Sequence, residues 1–223
     1  MAHTLKILSV LPVTHNVRRI RLQKPEGYSY IPGQATDVIV NKPGWTNEKR
    51  PFTFTSLNSD DHLEFTIKSY TDHDGVTKQV AGLVAGDELI LDEPWGAIAY
   101  KGAGYFIAGG AGITPFIAIL RQLHKENKLA GNKLFFSNKT AADIILYEQE
   151  LKDMLGDNAV FVLSKSDGAH NHIEDRIDET FLTNNVADFN AHFYICGPDP
   201  MIASVKDILE AKGAKTDSVV FEK

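Results

Sequence analysis

Between residues 5 and 91 apolar and polar positions alternate in short runs. The stretches 5–13, 17–22, 35–40, 51–57, 63–68 and 88–91 each carry the period of two expected of a half-buried strand. Clusters of turn-forming residues at 24–27, 41–44 and 58–61 separate them. Six such strands predict a small closed antiparallel barrel. Past residue 104 the pattern changes. Apolar runs at 105–108, 133–137, 159–163 and 192–196 read as buried strands, and 218–221 can add a last one. Helical spacing resumes between them: from Pro115, from Thr140, at Ile173, Ile177 and Phe181, and from Asp199 to about Lys212 with Gly213 past the end. Thr140 and Asp143 stand as a capping box, with Ile144, Tyr147, Leu151 and Leu155 on one helical face. Strands alternating with helices predict a parallel sheet. The chain therefore divides into an antiparallel barrel domain over 1–100 and an α/β domain over 101–223. The linker falls at 100–104, where Lys101 and two glycines interrupt both patterns.

Two stretches carry chemistry on this frame. The first is RPFTFTS, Arg50 to Ser56, on a predicted strand. Alternation places Arg50, Phe52, Phe54 and Ser56 on one side and Pro51, Thr53 and Thr55 on the other. A guanidinium can fork onto a phosphate, an aromatic ring can stack on a flat heterocycle, and a hydroxyl can meet a ring nitrogen. The second is YFIAGGAGITP, Tyr105 to Pro115. A buried strand breaks at Gly109, Gly110 and Gly112, and a helix follows with Thr114 as its expected N-cap and Pro115 at its first position. Strand, glycine turn and helix N-terminus together bind a pyrophosphate through backbone amides. The strict G-x-G-x-x-G fingerprint is absent, so a conventional dinucleotide fold does not follow.

Composition narrows the function classes. The 223-residue chain has a net charge of −6 and no basic stripe, which argues against nucleic acid. Residues 102–120 hold no charge, yet five glycines and a proline interrupt them, and the N-terminus lacks a signal-peptide pattern. The expectation is a soluble cytoplasmic protein without membrane insertion. One cysteine, Cys196, excludes an internal disulfide and an iron–sulfur cluster ligated by four cysteines of this chain. His170 and His172 have ligand-like spacing but no evident third ligand, so no metal is expected. The basic run Arg18, Arg19, Arg21 and Lys24 reads as a solvated surface. No G-x-S-x-G nucleophile elbow occurs.

Five motifs follow one another in order: RPFTFTS, GVTKQVAGLVAGDELIL (75–91), EPWG (93–96), GGAGITP (109–115) and YICGPDPMI (194–202). Their order and spacing resemble the ferredoxin–NADP reductase superfamily over nearly the whole chain. The resemblance implies an N-terminal barrel that holds FAD and a C-terminal α/β domain that holds NADH or NADPH. It implies FAD contacts by Arg50, Pro51, Phe52 and Thr53, with Arg50 on the pyrophosphate, Phe52 stacked on the isoalloxazine and Thr53 near the reactive ring nitrogen. Ile67, Lys68 and Ser69 would follow the ribityl and phosphate, and Gly75, Val76 and Thr77 would form a second phosphate turn. Gly110, Ala111, Gly112 and Thr114 would receive the nicotinamide dinucleotide, and Lys139 would lie where relatives select between NADH and NADPH. Cys196, with Gly197 and Pro198, would line the nicotinamide pocket. Thr53 and Cys196 are the implied catalytic residues, and Phe221 could reach the isoalloxazine or simply pack its strand. Two positions depart from the family pattern: Phe52 stands where Tyr is usual, and Ala111 where Thr or Ser is frequent. The implied function is an FAD-dependent NAD(P)H oxidoreductase serving a separate acceptor protein, such as a ferredoxin, a flavodoxin or an oxygenase component. The alternatives are a reductase of free flavin or another small acceptor, and a flavin-binding redox sensor without turnover.

Overall fold

The computed structural model describes residues 2–72, 74–96, 98–145, 148–165, 172–215 and 219–221. The N-terminal half forms β1 (His3–Thr14), β2 (Val17–Gln23), β3 (Ala35–Val40), β4 (Lys49–Thr53), β5 (His62–Lys68) and β6 (Glu88–Leu91). Their order is β4-β3-β6-β1-β2-β5 with every pairing antiparallel. An antiparallel bridge from Phe54 to Phe65 lays the chain after β4 against β5 and closes the ring. Inward alternation packs Leu5, Ile7, Ile20, Leu22, Val38, Val40, Leu63, Phe65, Leu89 and Leu91 into one core. The short helix α1 (Val76–Val80) adds Val76 and Val80 to that core.

The second half alternates β7 (Gly104–Gly109), α2 (Thr114–Lys125), β8 (Lys133–Asn138), α3 (Glu148–Leu155), β9 (Ala159–Leu163), β10 (Ile173–Glu174), α4 (Glu179–Asn185), β11 (His192–Cys196), α5 (Asp199–Ala211) and β12 (Val219–Phe221). The sheet order is β10-β9-β8-β7-β11-β12, parallel throughout. Buried side chains of α2 and α3 join Phe106, Ala108, Leu134 and Phe136 on one face. On the other face, residues of α4 and α5 join Ile107, Phe135, Phe193 and Ile195. The first of these clusters also takes in Val13 of β1 and Val17 of β2. Helix α2 thus lies between sheet and barrel. No helix among the described residues is long and apolar enough to cross a membrane.

Four expectations need correction. The strand expected over 51–57 ends at Thr53, and Thr53, Phe54, Thr55 and Ser56 are all buried, so the alternation stops there. Phe54 turns into the barrel and stacks on Tyr30 with ring centroids 4.1 Å apart. Thr55 and Ser56 instead satisfy their hydroxyls against Glu64 and Tyr30. Thr114 is the first residue of α2 rather than its cap, because a 3-10 turn over Gly110–Ile113 runs directly into the helix. The Thr140–Asp143 capping box is present, but it closes one 3-10 turn that ends at extended Ile144, and α3 begins at Glu148. Ile144, Leu151 and Leu155 are buried as expected, while Tyr147 lies outside the described residues. Ile173 belongs to β10 and not to a helix; Asp178 starts α4 only later, its carboxylate accepting the Phe181 N–H at 2.8 Å.

Candidate active site

A cleft of about 910 Å³ runs between the two domains. The barrel contributes Pro51, Phe52 and Thr53 from the end of β4, Thr66, Ile67 and Lys68 from β5, and Thr77 from α1. The α/β domain contributes the turn Gly109 to Gly112 with Thr114, the ends of β8 and β9 at Ser137, Asn138, Lys139 and Ser164, and Cys196, Gly197 and Pro198 beyond β11. The carboxyl ends of parallel strands open on this cleft, where ligands of open α/β sheets bind.

Two backbone constraints shape the α/β wall. Gly110 has φ +52°, a left-handed conformation that side chains disfavour. At Gly112, a Cβ would stand 2.2 Å from the Cys196 carbonyl oxygen and 2.4 Å from its carbon. These are backbone atoms, so only glycine lets the turn after β7 close onto the end of β11. That contact holds the start of α2 and the Cys196–Pro198 segment together on one wall. The Cys196 side chain is buried, as is Thr53 opposite.

The α/β end of the cleft is cationic. Lys139 and Arg176 line the cleft, and no hydrogen bond or ion pair engages either side-chain cation among the described residues. The acids beside them are engaged locally. Asp143 accepts from the Thr140 N–H at 3.1 Å and hydroxyl at 2.8 Å, and Asp178 caps α4. On the barrel side, the Lys68 ammonium stands 5.8 Å from the centroid of the Tyr70 ring, which also lines the cleft.

The structure brings most of the expected site residues together. Pro51, Phe52, Thr53, Ile67, Lys68, Thr77, Gly110, Ala111, Gly112, Thr114, Lys139, Cys196, Gly197 and Pro198 all line the one cleft. Arg50 does not: it is exposed, and its guanidinium donates to the Lys49 carbonyl at 2.7 Å. Ser69, Gly75 and Val76 do not line it either: Val76 packs in the barrel core, and the Ser69 hydroxyl is buried with no hydrogen-bond partner among the described residues. Phe221 places its backbone beside Ile195 in β12, and its side chain, like Glu222 and Lys223, lies outside what is described. So does His170, whereas His172 turns its Nε2 to Glu148 at 3.1 Å.

Two features escaped the sequence reading. Asn138 ends β8 with its side chain buried against the cleft, and neither its amide oxygen nor its amide nitrogen meets a partner among the described residues. Unpaired buried amides are uncommon and point to a missing partner. Its signal was a polar residue closing an apolar run at the carboxyl end of a parallel strand. The second is Glu64, buried in β5, which gathers Arg21 at 3.1 Å, Arg19 at 4.0 Å and Arg121 of α2 at 3.1 Å. Part of the basic run of β2 is therefore not a plain solvated surface, because a buried carboxylate requires paired cations. Burial alone would push the Glu64 carboxyl up, but Arg121, with hydrogen bonds from Arg21 and Thr55, holds it below its ordinary value.

Comparison with known proteins finds a family match in each half of the chain. Residues 2–103 match a family described as an FAD-binding domain, and residues 106–207 match an oxidoreductase NAD-binding domain. The reductase component of propane 2-monooxygenase from Rhodococcus jostii (strain RHA1) is 28% identical over 98% of this chain and 62% of that protein. NADH-cytochrome b5 reductase 2 of Mycosarcoma maydis is 28% identical over 92% of this chain and 64% of that protein. The chain thus spans less than two thirds of each of these two curated relatives. Among solved structures, a ferredoxin NADP+ reductase from Neisseria gonorrhoeae with bound FAD and NADP superposes with a TM-score of 0.84 at 21% identity, covering 99% of this chain and 98% of that one. The FAD/NAD-binding domain of nitric oxide dioxygenase from Vibrio cholerae gives 0.86 at 20% identity, over 98% and 97%.

Proposed function

The chain belongs to the ferredoxin–NADP reductase superfamily, and from that premise we propose that it is an FAD-dependent NAD(P)H oxidoreductase that passes electrons to a separate acceptor such as a ferredoxin, a flavodoxin or an oxygenase component. The observation that carries this reading is the single cleft, walled by the ends of β4 and β5 on one side and by the glycine turn and Cys196–Pro198 on the other. Bound there, FAD would supply the redox chemistry that links a nicotinamide hydride donor to a one-electron acceptor.

The protein's own part is to bind, orient and exclude water. Phe52 offers an aromatic face, and Thr53, nearly enclosed, offers a hydroxyl at the point where the two rings would meet. Arg50 and Lys68 supply cations, and Thr77 a hydroxyl, for the FAD phosphates; Arg50 reaches them by releasing the Lys49 carbonyl. The amides of the Gly110–Gly112 turn and the N-terminus of α2 supply a second anion site for the nucleotide pyrophosphate. Lys139 and Arg176 add positive charge, and Asn138 supplies a paired donor and acceptor for a polar group of the dinucleotide. Two of the buried groups without a partner among the described residues, Ser69 Oγ and the Asn138 amide, suit polar groups of the proposed ligands.

Anaerobic titration of the FAD-loaded protein with NADH and NADPH separately tests the proposal. Bleaching of the visible absorbance by either nucleotide is the expected result. A yellow protein that neither nucleotide bleaches would be a flavin-binding sensor, and one that cannot take up FAD refutes the cofactor reading. Rapid release of reduced flavin into solution would favour the free-flavin reductase.

A further inference from the structure

We infer that Arg121 is a positioning residue that sets the register between the two walls of the cleft, an inference resting on the hydride transfer proposed above. Arg121 and Thr114 are seven residues apart on α2, hence on the same helix face and about 10 Å apart along the axis. Thr114 lines the cleft at the start of the helix. Two turns on, Arg121 crosses to the barrel. Its Nη1 donates to the Thr55 carbonyl at 2.6 Å and to Glu64 Oε1 at 3.1 Å. Its Nε and Nη2 grip both oxygens of Glu150 on α3 at 2.5 and 3.0 Å. One turn further, Lys125 donates to the Ser59 hydroxyl at 2.7 Å.

The barrel groups that receive Arg121 are attached to the opposite wall. Thr55 lies two residues beyond Thr53, and Glu64 lies two residues before Thr66; Thr53 and Thr66 both line the cleft. One guanidinium therefore ties the helix that presents the glycine turn to β5 and to the segment that follows β4. Apolar contact also joins the domains, through Val13 and Val17 against the α2 side of the sheet. Such contact is non-directional, so it resists separation but permits sliding. Charge-assisted hydrogen bonds from a planar fork fix direction as well as distance. Hydride transfer depends steeply on that distance, and a 1 Å misplacement can cost about a hundredfold in rate. Glu64 keeps Arg21 as a partner when Arg121 is changed, so the carboxylate stays paired and the fold retains its hub.

The test compares Arg121→Met and Arg121→Lys with the unaltered FAD-loaded protein in anaerobic stopped flow. The expected result is retained FAD and a nucleotide dissociation constant within about twofold, with the limiting rate of flavin reduction lowered about 10- to 100-fold. The long-wavelength absorbance of the stacked nicotinamide and flavin should weaken in parallel. Lysine should restore little, since a point donor cannot hold Thr55, Glu64 and Glu150 together. Without nucleotide, amide hydrogen exchange should quicken over residues 53–57. A folded variant with wild-type limiting rate and absorbance band overturns the inference, as does a loss confined to nucleotide affinity and melting temperature. Should Arg121→Met not fold, Glu150→Gln, at a half-exposed position, decides with an expected rate loss of about threefold. Failure of the unaltered protein to accept electrons from either nucleotide would refute the proposed function instead, and amide exchange would still report on the clamp.

Discussion

Replacing Asn138 by leucine should make the protein more stable and a poorer nucleotide binder. The side chain is buried, and both its amide atoms lack a partner among the described residues. A buried polar group left unsatisfied costs about 1–3 kcal/mol, and leucine of similar size removes that penalty. For a chain of this length each 1 kcal/mol moves the melting temperature by about 2–4 °C, so the nucleotide-free variant should melt about 2–12 °C higher. The effect on binding has the opposite sign. Loss of two hydrogen bonds, at about 0.5–1.5 kcal/mol each, weakens dinucleotide affinity about 5- to 150-fold. Thermal melts without nucleotide, together with calorimetric titration by the oxidised nucleotides NAD+ and NADP+, read both quantities in the absence of turnover. A variant that melts lower with unchanged affinity shows that the amide serves the fold, and one unchanged in both respects refutes its assignment to the ligand.

Other positions give independent checks. Gly112→Ala drives a Cβ into the Cys196 backbone at 2.2 Å, so it should destabilise by about 1–3 kcal/mol and open the nucleotide wall; unaltered melting and nucleotide affinity would contradict the close approach. Arg50→Ala should leave melting of the FAD-free protein unchanged, since Arg50 is exposed, but weaken FAD binding by about 1.5–3 kcal/mol, measured by fluorescence titration. Equal FAD affinity would remove Arg50 from the site. The Glu64 carboxyl is depressed in the folded protein from an ordinary value of 4.5, so its contribution to stability is complete above that value and is lost as pH falls through the folded value. Urea midpoints should therefore fall more steeply with acid in the wild type than in Glu64→Gln, and parallel profiles would refute the pairing.

The barrel was legible where apolar and polar positions alternate along a strand. The spans 35–40 and 88–91 match β3 and β6 to the residue for that reason. The runs 159–163 and 192–196 match β9 and β11 because buried parallel strands have no polar interruptions to blur their ends. The glycine turn was legible because Gly110 takes a left-handed conformation that side chains disfavour and Gly112 stands where a Cβ would meet the Cys196 backbone. What escaped depends on partners far apart in the chain. Nothing local in HLEFTIK says that Glu64 is buried; its place between Leu63 and Phe65 puts it on the face opposite theirs, and α2 covers that face only in three dimensions. Asn138 escaped for the same reason. A polar residue at a strand end is ordinarily solvated, and its isolation follows only from the surrounding strand ends.

The departure from alternation after Thr53 links stability to function. A regular strand through residue 56 would send Phe54 and Ser56 to the side of Phe52 and leave Thr55 beside Thr53. Instead the backbone leaves β4, and four successive buried side chains meet different surroundings. Thr53 faces the cleft, Phe54 enters the barrel core against Tyr30 and Phe65, Thr55 bonds Glu64, and Ser56 joins Tyr30 at 2.7 Å. The carbonyl of Thr55 then points to Arg121. Core packing therefore fixes where Phe54 sits, and Phe54 in turn fixes both the hydroxyl before it and the interdomain acceptor after it. Barrel stability, the orientation of Thr53 and the register of α2 are consequences of one short bend. A change to any of its four side chains must therefore be read in all three measurements before it is assigned to one.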